Sequence, residues 1–461
     1  MNGANSALDI ADAVRTRQTT VTAVVQSTLD RIGQHNTALN HFSEVLANRA
    51  LARAAALDTR VDAGEDVGAL AGVPFGVKNL VDIEGLPTIA GSIINRDRAP
   101  AQHDSILVKR LEAAGAVLVG ALHMGEYAYD FTGRNAHYGP ARNPHDTTRM
   151  TAGSSSGVAG AVAAGLVPLS IGSDTNGSIR VPAAFCGLFG LKPTYGRITR
   201  ADSFPFVASL DHMGPFARSV ADLAAMYDLM QGGDDRDPAC VGSVDVVGDA
   251  LTEGVDDLRL AVAGGYFARG ARLEVTAAVA SVAKALGSND LVEIEGAERA
   301  RAAAFLITAV EGANLHLGRL RERAADFDPE VRPRLIAGAM VPGSWYVEAQ
   351  RYRRRFRAGV LSTFRDVDVI IAPTAPLSAP RLDQVTMELD GRDVSIRAHM
   401  GIYTQPLSFI GLPVLNVPVA VDGMPIGVQL IGAPWNERAL FRVAAYLERL
   451  GAVRAPVASL G

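Results

Sequence analysis

Two glycine- and serine-bearing stretches and one upstream lysine constrain this chain more tightly than any other feature. Gly153-Ser154-Ser155-Ser156-Gly157 runs without a break into Val158-Ala159-Gly160-Ala161-Val162-Ala163-Ala164-Gly165, and Gly172-Ser173-Asp174-Thr175-Asn176-Gly177-Ser178 follows shortly after. Glycine and serine clusters by themselves are usually flexible loops. Here the first cluster opens a segment of small apolar residues, the composition of a helix packed tightly in an interior, so its serines are fixed at a helix start. Backbone N–H groups at such a start have no partner within the helix and can hold a developing negative charge. Lys78 lies among Val73, Pro74, Phe75, Val77, Leu80 and Val81, an apolar run that reads as a short buried strand ending at the site. Two serines and a lysine in these settings describe a serine nucleophile activated without histidine, hence a hydrolase of amide-type bonds.

A serine hydroxyl is a poor nucleophile near neutral pH unless a neighbour accepts its proton. A lysine can do so only when neutral, and moving its pKa from about 10.4 to about 7–8 takes roughly 3–5 kcal/mol, within what burial supplies. A rival reading exists. Gly153 to Gly157 also fits Gly-x-Ser-x-Gly centred on Ser155, the nucleophile elbow of α/β-hydrolases, which needs an acid and then a histidine downstream. His212, His316 and His399 are the candidates, and their settings read as structural or surface positions.

The chain resembles the amidase signature family over nearly its whole length. The matching segments are Gly72 to Asn79, Met150 to Gly157, Asp174 to Ala184, Gly187 to Thr194, Ser209 to Pro215, Asp368 to Thr374, Gly411 to Pro413 and Gly427 to Gly432. The resemblance implies that Ser178 attacks the carbonyl, Ser154 passes the proton and Lys78 is the final base. It assigns the substrate- and oxyanion-binding group to Thr175, Asn176, Gly177 and Ser155, and implies a cis peptide bond before Ser155 that orients the bridging hydroxyl. Three positions depart from the usual pattern: Asn79 stands where aspartate is common, and Ser156 and Asn176 where glycine is common. Asn176 either supplies an extra side-chain donor to a polar substrate or tolerates the positive φ that glycine would otherwise serve, and the backbone role is the favoured reading. Arg334, with Arg332 behind it, resembles the arginine with which glutaminase members hold a carboxylate through a two-pronged contact.

The implied reaction releases ammonia from a small anionic amide, such as a carboxylated biuret or similar ureide of cyanuric-acid degradation. The glutaminase components of tRNA-dependent amidotransferases are the alternative, alongside allophanate- and malonamate-type amidases. The resemblance calls for no cofactor or metal, implies a homo- or hetero-oligomer, and allows a small C-type accessory subunit as partner.

Composition agrees with a large enzyme. The 461 residues are 48% hydrophobic, enough for a sizeable core, and the formal charge of −5 suggests neither a nucleic-acid surface nor a membrane-binding basic patch. Two cysteines, Cys186 and Cys240, make neither a disulfide framework nor a metal cluster. The opening residues lack a basic stretch followed by an apolar core, so a cytoplasmic enzyme is expected. The apolar stretch 158–172 is broken by Gly160, Gly165 and Pro168 and is shorter than the ~20 residues a membrane span needs.

Apolar spacing predicts helices over 7–15, 21–32, 40–60, 105–114, 220–230 and 275–286, and strands over 116–120, 167–172 and 258–263. Short strands alternating with helices predict an α/β fold, a single domain whose mixed central sheet is covered by helices on both faces. Peripheral helices are expected in 1–70, the catalytic core in 71–230, and the pocket-forming half with the remaining sheet in 231–461. The basic run Arg351 to Arg357 reads as a solvated helix face.

Overall fold

In the computed structural model, which describes residues 1–419 and 423–460, the apolar run around Lys78 forms the strand Pro74–Lys78, buried at every position. It is the third strand of an eleven-stranded mixed sheet. From one edge to the other the strands are Phe42–Val45, Val117–Leu122, Pro74–Lys78, Leu169–Asp174, His212–Ala217, Phe189–Lys192, Val414–Val419, Ile426–Gly432, Val369–Pro373, Leu260–Ala263 and Asp290–Val292. The central strands Leu169–Asp174, His212–Ala217, Val414–Val419 and Ile426–Gly432 are buried throughout, which requires cover on both faces. One sheet thus draws on both the 71–230 and the 231–461 stretches, with Phe189–Lys192 paired antiparallel to Val414–Val419.

Parallel pairing positions the site. Pro74–Lys78 runs parallel to Leu169–Asp174 with Val77 opposite Ile171, so both strands deliver their carboxyl ends, Lys78 and Ser173-Asp174, to the same edge. Crevices outside the carboxyl ends of parallel strands are where α/β folds bind ligands. The helix Ser156–Ala163 is buried along its full length. Its glycines explain the small-residue composition: a Cβ on Gly157 would stand 2.2 Å from the His41 carbonyl oxygen, and one on Gly160 2.2 Å from His41 Nε2. Only glycine permits this approach of helix to neighbour.

Helices Ala7–Arg15 and Val220–Met230 match their expected bounds. The helix expected over 40–60 is corrected. Val21–Leu39 extends further than its spacing predicts and ends at Asn40, which caps it in the left-handed conformation at φ 56°. The chain then forms the edge strand Phe42–Val45 before helix Ala47–Asp62 begins. Asn36 causes the break, since its Oδ1 accepts from the N–H groups of His41 and Phe42 at 2.9 and 2.7 Å and diverts both from the helix. Among the described residues no helix is long and apolar enough to cross a membrane.

Candidate active site

Lys78 has no solvent exposure, and its Nζ donates to Ser154 Oγ at 2.7 Å and to Ser173 Oγ at 2.9 Å. Burial lowers its pKa to about 7, against the opposing charges of Asp174 and Asp211. An amine neutral near pH 7 and in contact with a hydroxyl is able to take that hydroxyl's proton. A second lysine, Lys192, is equally buried but donates to the carbonyl oxygens of Pro193 and Leu412 and meets no serine. The two buried lysines therefore differ in chemistry: one holds hydroxyls, the other holds main chain and stands 3.3 Å from His212 Nε2.

The cis peptide is Gly153–Ser154, one bond earlier than the expected bond before Ser155, and the Ser154 carbonyl oxygen accepts from Gly125 N–H at 3.2 Å. Ser155, expected in the oxyanion group, has its side chain engaged with the strand that leads to that loop. Its buried Oγ donates to the Ser173 carbonyl oxygen at 3.1 Å, bracing the start of helix Ser156–Ala163 against strand Leu169–Asp174. The histidine alternatives are equally remote in their contacts: His212 Nδ1 meets the carbonyl oxygens of Asp174 and Leu210, His316 sits against Tyr127 and Phe327, and His399 meets the Ser395 carbonyl oxygen. None of them reaches Ser154, Ser155 or Ser178.

The loop after strand Leu169–Asp174 is shaped by the Asp174 carboxylate. Burial opposes its ionisation, but the Arg180 guanidinium holds it well below the usual carboxylate range, with Nε and Nη2 each 3.0 Å away. The same carboxylate accepts from Gly177 N–H at 2.7 Å and Ile179 N–H at 3.1 Å. Gly177 has φ 138°, and a Cβ there would lie 2.3 Å from Thr404 Oγ1, so glycine is required. With the Gly177 N–H engaged by Asp174, the N–H groups of Thr175, Asn176 and Ser178 are the ones without a partner among the described residues. Of the expected oxyanion group Thr175, Asn176 and Gly177, the first two have N–H groups without a partner and the third is held by Asp174.

Asn176 also departs from its expected role, since it is absent from the residues with positive φ. Its side chain instead donates to Thr308 Oγ1 at 2.8 Å, while its Oδ1 is buried without a partner. Thr175 Oγ1 donates to Asp211 at 2.6 Å. Ser178, 5% exposed, lines a narrow cavity with Thr175, Asn176, Arg334, Arg397 and Gln405. Its hydroxyl has no hydrogen-bond partner among the described residues.

Arg334 does reach this cavity, from helix Arg332–Ala339. Its Nη1 donates to the Tyr129 carbonyl oxygen at 2.6 Å and its guanidinium lies 3.6 Å from the centre of the Tyr129 ring. Arg332 turns away to the Ala324 carbonyl oxygen. The cavity holds a second arginine that sequence reasoning missed: Arg397, paired with Asp130 at 3.1 Å. Ser173 was missed as well, although it stands inside the Gly172 to Ser178 stretch beside the nucleophile candidate.

A mixed α/β sheet ending in a buried amine, hydroxyls and an arginine-lined cavity belongs to a hydrolase of C–N bonds, and comparison with known proteins narrows that class. A family model described as Amidase matches residues 23–441. The chain is 49% identical over 451 residues to the AtzE component of 1-carboxybiuret hydrolase from Pseudomonas sp. (strain ADP), covering 97% of this chain and 99% of that protein. It is 34% identical to the glutamyl-tRNA(Gln) amidotransferase GatA-type component of Koribacter versatilis, covering 95% of this chain and 96% of that one. Among solved structures, a vestigial protein complex that reveals the evolutionary origins of an s-triazine catabolic enzyme aligns with TM-score 0.96 and 48% identity, over 98% of this chain and 100% of that chain. A 6-aminohexanoate cyclic dimer hydrolase complexed with substrate aligns with TM-score 0.88 and 28% identity, over 99% and 100% of the two chains. The chain belongs to the amidase signature family.

Proposed function

We propose that this chain hydrolyses a small carboxylated ureide, 1-carboxybiuret or a near relative, releasing ammonia through an acyl-enzyme on Ser178. The observation that carries this reading is the wholly buried Lys78, its pKa lowered to about 7 and its amine 2.7 Å from Ser154 Oγ. Ser178 Oγ adds to the substrate carbonyl carbon while its proton passes to Ser154, whose own proton passes to the Lys78 amine. This path requires the Ser178 and Ser154 hydroxyls to come within hydrogen-bond reach in the substrate complex, where catalytic contacts commonly tighten. The oxyanion lies against the free N–H groups of Thr175, Asn176 and Ser178, and one such donor is worth about 3–4 kcal/mol in a transition state. Collapse breaks the C–N bond, the leaving nitrogen takes the proton back through Ser154, and ammonia departs. Water then adds to the acyl carbon by the same relay and releases the acid and free Ser178.

Arg334 and Arg397 supply the anion-binding side of the cavity, and the unpartnered Asn176 Oδ1 is an acceptor for a substrate N–H. A ureide with a carboxylate and several N–H groups answers both. Similarity to one component of a multi-subunit enzyme, and to a member of a protein complex, supports an oligomer with a small accessory subunit. The proposal is tested by measuring ammonia release across glutamine, malonamate, allophanate, biuret and 1-carboxybiuret. Fastest release from the carboxylated ureide, abolished in Ser178→Ala, is expected. Preference for glutamine, or undiminished release in that variant, would contradict it.

A further inference from the structure

A second cavity, sharing no residue with the one around Ser178, lies beside helix Gly343–Thr363. Five arginines stand within Arg351 to Arg357, and among the described residues none of them is in an ion pair. Arg353, Arg354 and Arg357 share one helical face and line this cavity of about 460 Å³ with Gln350, Tyr195 and Trp435. Arg354 and Arg357 are exposed and Arg353 is half-buried. Two acids stand nearby and both are engaged: Glu311, whose charge reaches Arg353, accepts from Ser209 N–H, Ser209 Oγ and Tyr346 OH at 3.2, 2.7 and 2.9 Å, and Glu437 pairs with Arg197 at 3.1 Å and accepts from Thr194 N–H at 2.8 Å. Like charges one turn apart on a helix repel, so three guanidinium groups with no ion-pair partner among the described residues favour an anion from outside the chain. Guanidinium forks match phosphate oxygens two at a time.

The remaining lining is aromatic. Trp435 is 38% exposed, and the Arg197 guanidinium lies 4.8 Å from the centre of its ring. Tyr195 has the Arg200 guanidinium 5.0 Å from its ring and donates its hydroxyl to the Ala208 carbonyl oxygen at 2.9 Å. Each ring is thus held by an arginine while it lines the cavity. A concavity of this size suits a small molecule, and its two halves suit phosphates and a flat ring. We infer that this cavity binds a nucleoside diphosphate, its phosphates on Arg353, Arg354 and Arg357 and its base on Trp435. Arg353 Nη2 also donates to the Ser209 carbonyl oxygen at 2.8 Å, two residues before the Asp211 that holds Thr175, so this cavity and the Ser178 loop share one segment.

The chain has two tryptophans, so a full-length Trp345→Phe protein reports from Trp435 alone. Titration with adenosine diphosphate at low salt is expected to give a saturating change in its emission. Pyrophosphate and adenosine should each bind more weakly than the whole nucleotide. The double variant Arg354→Gln with Arg357→Gln, both at exposed positions, should weaken binding by about tenfold or more. Affinity of the parent protein should also fall as salt is added. No saturable change with adenosine diphosphate, equal affinity in the folded double variant, pyrophosphate binding as tightly as the nucleotide, or an affinity indifferent to salt would each overturn the inference.

Discussion

Lys78 is held under two opposing demands, burial that strips its proton and nearby carboxylates that favour keeping it. Burial prevails and brings its pKa to about 7, whereas in an unfolded chain the amine stays protonated to about 10.5. Between those values the unfolded state binds more protons than the folded one, so this residue's contribution to stability improves as pH rises through that window. Lys78→Met removes the burden, and turnover should fall by at least ~10³-fold while the melting temperature at pH 7 stays level or rises, a split read by steady-state kinetics and calorimetry. Arg397 sits in the Ser178 cavity with Asp130 as partner. Arg397→Ala should raise KM by about tenfold or more and change kcat less, because a carboxylate contact distant from the breaking bond serves ground and transition states alike. The buried strand that ends at Lys78 and the buried helix that follows Ser154 were legible because each stands in a distinctive local run. Arg397, Ser173 and the partner of the Asn176 side chain were not, because each is set by contacts distant in the chain or on another strand, such as Thr308 for Asn176.

Helix Ser156–Ala163 shows how composition encodes packing. Its valines, alanines and glycines predicted a buried helix, and the structure adds the neighbours, the main chain of His41 and His123 within 2.6 Å of a Cβ built on Gly157. Gly157→Ala should therefore destabilise the fold by about 3 kcal/mol, measured by urea unfolding, since main chain on the opposing side cannot move aside as a flexible side chain would. Elsewhere the alanine-rich 40–60 stretch has strong helical propensity, yet Asn36 and the left-handed Asn40 stop the helix and free Phe42–Val45 to pair with Val117–Leu122. Propensity is a local quantity, and strand pairing is decided by a partner more than seventy residues away. The same limit applies to Val414–Val419, whose neighbours Phe189–Lys192 and Ile426–Gly432 no local pattern could supply.

Across the molecule, the catalytic end of the sheet depends on contacts between its two halves. Arg180 pairs with Asp174 on one side and donates to the Thr404 carbonyl oxygen and Ser408 Oγ on the other, with no solvent exposure at any of these side chains. Asp174→Asn leaves the guanidinium uncompensated, and a loss of roughly 3–5 kcal/mol in stability is expected from chemical denaturation. Because the folded-state pKa of Asp174 is depressed, its contribution is present above the ordinary carboxylate range and is lost as pH falls through and below it. The whole fold serves to keep one amine dry, and that claim can be tested without knowing the substrate. Inactivation by a sulfonyl fluoride, followed over pH with the labelled residue located by mass spectrometry, should modify Ser178 at a rate that rises with pH, half-maximal near 7, and should all but vanish in Lys78→Met. A half-rise near the ordinary lysine value, or a label on Ser155 whose formation is lost when His212, His316 or His399 is replaced, would contradict the account.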